Sequence, residues 1–264
     1  MSARFDSHIH LFDTGYSGDR TAGAELAQYE ALRAEHGVDD ALVVAYEGDQ
    51  RFRGNNDYVL GLGERLGWVT PLLFLDAARP LSVAAAEMAL DAGAAGFSLY
   101  LGDDGAICDA FDDKFWALLS SRSALLSINA TPRGVAGASE RIRALGDARV
   151  LISHLGLPAA GGRDAAPNAA LLGLGTAESV AVKFSGLYAT DPVYPHYGAR
   201  DATMALLEVF GVERLLWGSD FAPGLDVVSA DELFAIPAWL SEQLTAAERA
   251  LILGGNLRTL CGKD

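Results

Sequence analysis

The sequence predicts a single-domain, distorted (β/α)8 TIM barrel spanning residues 1–264, on three observations. Eight short apolar runs rich in Val, Leu, Ile and aromatic residues recur along the chain. The stretches between them are long enough for crossover helices, and several carry helical periodicity. The 264 residues give about 33 per strand-and-crossover unit, which suits a barrel of about 250 residues. Regular β-α alternation implies parallel strands, and eight such units close on themselves. The rival is an open doubly wound sheet, which expects a GxGxxG turn after its first strand. The chain reads HIHLFDTGYSGD there instead.

Taken in order, the strand-like runs are 4–10 (RFDSHIH), 41–46 (ALVVAY), 68–75 (WVTPLLFL), 94–101 (AAGFSLYL), 124–130 (ALLSINA), 149–155 (RVLISHL), 179–187 (SVAVKFSGL) and 214–220 (RLLWGSD). Most are too short for helices and are followed by Gly, Pro, Asp or Asn. Among the helices, 24–36 sets Leu26, Tyr29 and Leu32 near one face, and 81–92 is Ala-rich. Residues 111–122 space Phe111, Phe115 and Leu118 at i, i+4 and i+7, and 199–210 carries Met204, Leu206, Leu207 and Phe210. Residues 245–253 open with Thr245 and Glu248 at the spacing of a capping box. Two connections, 188–199 and 221–241, follow the seventh and eighth strands and are rich in Pro and aromatics. They lie on the face where barrel enzymes build their sites, so they are expected to pack over the mouth as ordered loops.

Composition narrows the function. Lys and Arg number 20 against 35 Asp and Glu, a net charge of −15, which would repel a phosphate backbone and argues against nucleic acid as a partner. Cys108 and Cys261 are the only cysteines. They allow neither a disulfide scaffold nor a thiolate zinc knuckle and fit a reducing cytoplasm. The opening MSARFDSHIH lacks the apolar core of a signal peptide. No apolar run approaches the roughly 18 residues that would span a membrane. The expected partner is a small-molecule substrate, with one bearing carboxylates among the expectations, and a homo-oligomer is an open alternative to a monomer.

The chemistry-bearing residues gather at strand ends. His8 and His10 stand one residue apart at the end of the first run, so strand alternation turns both imidazoles the same way. His154 ends the sixth run and Asp220 the eighth. The bland readings are a buried, bonded histidine and a helix N-cap. Those readings weaken because a barrel brings all four residues to one mouth. Imidazoles with a carboxylate are ligands for Zn²⁺ or a similar ion. Gly156 and Gly218 are compatible with close backbone approach nearby. Around them, Asn129, Arg133, Arg163, Tyr100, Tyr188 and His196 are candidates for shaping the pocket, an arginine being the natural clamp for a substrate carboxylate. Lys183 lies on an otherwise apolar strand, and if inward it needs an acid partner. Asp6 shares the face of His8 by parity and is placed to orient a histidine from one layer deeper, or else to bond backbone.

The segments FDSHIHLFD, VLISHLGLP, SVAVKFSGLYA, RLLWGSDFAP and LILGGNLRTLCG resemble the amidohydrolase superfamily, in its amidohydrolase-2 branch, over nearly the whole chain. That branch includes 2-pyrone-4,6-dicarboxylate lactonase and sugar-lactone hydrolases, with decarboxylase relatives. The resemblance implies a distorted (β/α)8 barrel with His8 and His10 as the HxH pair. It implies Asp220 as the acid that takes a proton from attacking water, and His154 as a later-strand histidine. Binuclear members carry a Lys or Glu on strand four and a His on strand five, where this chain reads GFSLYL and LLSINATP. One divalent ion, zinc first, held by His8, His10, Asp220 and His154 is therefore the expectation, with a metal-free site as the other.

Either way the reduced set suits a reactive carbonyl. Imidazoles or a metal polarise a lactone carbonyl while Asp220 activates water. Hydrolysis of a lactone or another carboxylic ester is the leading expectation. The alternatives are a metal-dependent decarboxylase of the same superfamily and a barrel that binds a ligand without catalysis. A TatD-like nuclease also opens with HxH, but it fits neither the net charge nor strand four.

Overall fold

The computed structural model describes residues 4–263. One sheet holds eight strands in sequence order: β1 Arg4–Ile9, β2 Val38–Val44, β3 Val69–Phe74, β4 Gly96–Gly102, β5 Leu125–Ala130, β6 Arg149–Ile152, β7 Val180–Phe184 and β8 Leu215–Trp217. All seven successive pairings are parallel. The crossovers hold α1 Ala24–Glu35, α2 Asn55–Arg65, α3 Val83–Asp91, α4 Asp113–Ser121, α5 Pro132–Arg143, α6 Ala169–Gly173 and α7 Arg200–Phe210. After β8 come α8 Ala230–Phe234, α9 Ala238–Ser241, α10 Ala246–Ala250 and α11 Asn256–Leu260. This is the (β/α)8 barrel that the alternation predicts.

Side-chain chemistry explains the helix starts. Ser82 and Asp112 accept the Ala85 and Phe115 amides at the heads of α3 and α4. Thr131 caps α5, with Pro132 in its first turn. Thr245 and Glu248 form the expected capping box of α10.

Closure of the barrel is the irregular step. Beyond β8 a parallel bridge joins Ile9 to Phe221. Asp220 N–H donates to the His8 carbonyl at 2.8 Å, and His10 N–H donates to the Phe221 carbonyl at 2.5 Å. Gly218 permits this approach, because a Cβ there would stand 2.9 Å from the His8 amide nitrogen. The segment after β8 is thus laced to the C-terminal end of β1.

The interior is layered. Phe5, Leu42, Leu72, Leu125, Leu151, Ala181 and Leu216 fill the lower barrel, with Leu257 of α11 packed against them. A second, larger apolar cluster lies between the strands and the helices. Two residues above the inner cluster on their strands stand Ser127, Ser153 and Lys183, all buried. The inside of the barrel therefore changes from apolar to polar as it rises toward the strand C-termini.

Three expectations of local structure are revised. The sixth strand ends at Ile152 rather than 155, because His154, Leu155 and Leu157 take left-handed φ values of 54, 55 and 47°. The eighth strand ends at Trp217, and Asp220 lies three residues beyond it with φ 63°. Segment 221–241 contains helical turns and the short helices α8 and α9 rather than a continuous loop.

Gly96 tests the packing of the strands. A Cβ there would fall onto the Leu125 carbonyl of the neighbouring strand, which is backbone and cannot yield. Gly96→Ala is expected to cost about 2–4 kcal/mol. A urea denaturation midpoint would show it as a large drop, and an unchanged midpoint would contradict the tight β4–β5 contact.

Candidate active site

The four strand-end residues meet. His8 and His10 present their Nε2 atoms 3.2 Å apart. Asp220 Oδ1 lies 3.7 Å from His8 Nε2 and 4.0 Å from His10 Nε2, and Asp220 Oδ2 lies 3.7 Å from His154 Nδ1. All four side chains are buried. Tyr188 donates its hydroxyl to Asp220 Oδ2 at 2.6 Å, which holds the carboxylate in one rotation. Gly186 follows β7 with φ 59°, and a Cβ there would run into His154 Nδ1 and come within 3.0 Å of Asp220 Oδ2. Only glycine suits both that backbone and that space.

Hydrogen bonding sets the tautomers. His10 Nδ1 lies 2.7 Å from the Val44 carbonyl. A carbonyl only accepts, so Nδ1 carries the hydrogen and Nε2 the lone pair. His8 Nδ1 faces Lys183 Nζ at 3.2 Å and Ser153 Oγ at 3.4 Å. Lys183 also donates to Ser127 Oγ at 2.7 Å. With a charged lysine, His8 accepts at Nδ1 and donates from Nε2 to His10. With an uncharged lysine, His8 can carry its proton on Nδ1 and free the Nε2 lone pair. The acid partner expected for Lys183 is replaced by an imidazole and a hydroxyl.

Burial governs the charge states. Desolvation holds His8 well below the ordinary imidazole range, with Lys183 and the neighbouring histidines adding to it. It takes His10 down to about 4 against the pull of Asp220, and it lowers His154 as well. Desolvation also brings Lys183 down to about 7 and lifts Asp6 to about 6. Neutral imidazoles therefore line the floor at neutral pH.

Asp6 bonds backbone, the second of its two expected roles, and no imidazole. Its carboxylate accepts from the Ser219 amide at 2.8 Å, the His8 amide at 3.2 Å and the Tyr29 hydroxyl at 3.2 Å. The cause is a register shift in β1. Asp6 pairs with Ala41 and Ile9 with Val43, three residues against two, so Asp6 faces α1 while His8 faces inward. Parity from the sequence misses this extra residue. What Asp6 holds is the backbone just before Asp220.

Above the floor opens a cup of about 250 Å³. His10, His154, Asp220 and the expected Asn129, Tyr100 and Tyr188 line it, together with Phe12, Tyr16 and Tyr46. The last three are absent from the sequence reading, although Phe12 and Tyr16 follow the HxH pair and Tyr46 ends its strand-like run. The remaining candidates fall elsewhere. Arg163 sits on the outer surface, paired with Glu208 of α7 at 2.8 Å, so it clamps no substrate in the cup. Arg133 is exposed in the first turn of α5, outside the cup lining. His196 is buried, with its Nδ1–H bonded to the Asp191 carbonyl at 2.7 Å. It lines a separate cavity of about 20 Å³ on the other side of Tyr188, the size of one water molecule.

The donor set fits a divalent ion. Ligand atoms of His8, His154 and Asp220 lie within 4.8 Å of one another, and their two imidazoles and one carboxylate are a zinc-type set. His10 stands outside that trio, although its Nε2 lone pair faces His8.

Fold and cluster together define the class: a (β/α)8 barrel carrying imidazoles and one acid at its C-terminal mouth. The family model described as amidohydrolase matches residues 5–260, and the chain belongs to that family. No curated protein matches the chain. Among solved structures, a zinc-bound amidohydrolase from Burkholderia multivorans is 22% identical, with a TM-score of 0.80 over 99% of each chain. A protein from Pseudomonas putida, described as a candidate 2-pyrone-4,6-dicarboxylic acid hydrolase, is 24% identical, with a TM-score of 0.75 over 100% of this chain and 99% of its own. The 2,6-dihydroxybenzoate decarboxylase from Rhizobium is 14% identical, with a TM-score of 0.61 over 99% of each chain. At these identities the likeness is one of fold.

The buried imidazoles make stability depend on pH. Their folded pKa values lie below the unfolded value, so the unfolded chain binds more protons between about 6.5 and 4. For His10 alone, acidification from pH 7 to 4.5 removes about 2–3 kcal/mol. Asp6, raised in the fold, works in the opposite direction between about 4 and 6 but is outnumbered. The thermal midpoint is expected to fall by several degrees across this range, and an unchanged midpoint would contradict neutral burial of the cluster.

Proposed function

We propose that the protein hydrolyses a lactone or another carboxylic ester, with Asp220 as the general base. One observation carries this reading. Tyr188 occupies Oδ2 of Asp220 at 2.6 Å, while Oδ1 faces the two Nε2 atoms of the HxH pair. A water held at Oδ1 gives its proton to Asp220 as its oxygen attacks the ester carbonyl. With the His10 N–H given to Val44 and His8 engaged with His10 and Lys183, His154 is the cup-lining imidazole whose N–H stabilises the negative charge that grows on the carbonyl oxygen. The ring C–O bond then breaks, and Asp220 returns the proton to the departing alkoxide, leaving a hydroxy acid. A divalent ion held by His8, His154 and Asp220 would supply Lewis acidity to the carbonyl. Membership of the amidohydrolase family supports the reading.

A panel of lactones monitored by acid release tests it. Asp220→Asn is expected to lower turnover by about 10²–10⁴-fold, the range for loss of a general base. Tyr188→Phe is expected to cost about tenfold in kcat with little change in KM, since it frees the carboxylate to rotate. Turnover near wild type in Asp220→Asn would remove Asp220 as the base. Bicarbonate release from aromatic acids, with no acid release from lactones, would replace hydrolysis by decarboxylation.

A further inference from the structure

The ring of strand ends divides the cup into two unlike halves. The ends of β6, β7, β8 and β1 carry His154, Tyr188, Asp220 and His10, the groups that do chemistry. The ends of β2 and β4 carry Tyr46 and Tyr100, with ring centroids 4.9 Å apart. Phe74, at the end of β3, stands 5.3 Å from the Tyr46 ring and backs it. Phe12, stacked on Phe52 at 4.1 Å, continues this wall from the β1 side. The Tyr16, Tyr46 and Tyr100 hydroxyls bond to no described residue, so they remain available to a ligand.

Every cation near this wall is engaged or lies outside the lining. Lys183 is buried beneath His8, and Arg163 is bound to Glu208 on the outer surface. Arg51 lies over the Phe52 ring at 5.0 Å, but Asp49 holds its guanidinium at 3.0 Å. Arg133 is exposed outside the lining. Asp220 is the one charged side chain that lines the cup among the described residues.

We propose that the substrate is uncharged: a ring ester whose flat apolar face lies on the Phe12–Tyr46–Tyr100 wall, with carboxylated rings disfavoured. This rests on the hydrolase reading and narrows it. A substrate carboxylate in the aromatic half would lose its hydration and find hydroxyls but no cation. When the cup holds no ion, a carboxylate about 6 Å from Asp220 at an effective dielectric of 20 is disfavoured about 100-fold by like-charge repulsion alone. Aromatic faces, by contrast, reward a flat uncharged ring.

The matched test uses 2-pyrone-4,6-dicarboxylate, its dimethyl ester and unsubstituted 2-pyrone. In chelator-treated protein the expected result is a kcat/KM for ring opening at least about 100-fold higher for the diester than for the dicarboxylate. Equal or faster opening of the dicarboxylate overturns the proposal and leaves the hydrolase reading standing. Calorimetric titration with the corresponding 2-pyridone lactams, which resist opening, reads the same preference without turnover. If no pyrone opens but the neutral lactam binds about 100-fold tighter, the selectivity stands and hydrolysis falls. Asn129→Arg, which adds a cation to the cup, is expected to shift the ratio toward the dicarboxylate by at least about tenfold. Arg133→Ala is expected to leave the ratio unchanged, and selective loss of dicarboxylate turnover in that variant would identify Arg133 as a carboxylate clamp and overturn the proposal.

Discussion

The lacing of the segment after β8 onto the end of β1 is the constraint on which the site depends. Three bonds make it: Ser219 N–H to Asp6 Oδ1, Asp220 N–H to the His8 carbonyl, and His10 N–H to the Phe221 carbonyl. They join the first and last strands of the barrel, and they fix Asp220 in a left-handed conformation directly opposite two imidazoles. Residues more than 200 positions apart become neighbours because closing the barrel and assembling the cluster are one event. Asp6 and Gly218 contribute here, one by accepting amides and the other by taking up no space.

Above this seam the site depends on graded polarity. An apolar lower layer excludes water, a layer of serines and Lys183 supports His8 from beneath, and the cup opens only above that. Buried imidazoles stay neutral, so their tautomers are chosen by hydrogen bonds rather than by bulk pH. The Val44 carbonyl decides for His10, and Lys183 and Ser153 decide for His8. Tyr188 then restricts the one carboxylate. Each chemical group is held by a partner from a different strand, which gives the cluster rigidity although several members lie past the ends of regular strands.

Much of this was legible in the chain because strand runs and their terminal residues are local signals. The HxH spacing, HLG after β6 and GSD after β8 each mark a residue that reaches the mouth, and barrel topology brings them together. What escaped was non-local. The extra residue in β1 turns Asp6 outward, and no parity count reveals it. Helix α2 carries Gly61 and Gly63, which weaken its helical signature; Gly63 is needed where the helix packs on Pro71. The aromatic half of the cup was missed because Phe12, Tyr16 and Tyr46 look like ordinary core or rim residues until the strands curve them inward. Arg163 is a cation that follows β6 in the chain, but its charge is satisfied by Glu208 on the outer face.

Amide hydrogen exchange across residues 218–222, compared with the exposed turn at 17–19, tests the lacing most directly. The Ser219, Asp220 and Phe221 amides are buried and donate to Asp6, His8 and Ser219, so protection close to that of the β5 and β6 amides is expected. Exchange as fast as in the exposed turn would show that the β8–β1 seam opens freely, and the cluster would then lack the fixed geometry on which the proposed chemistry depends.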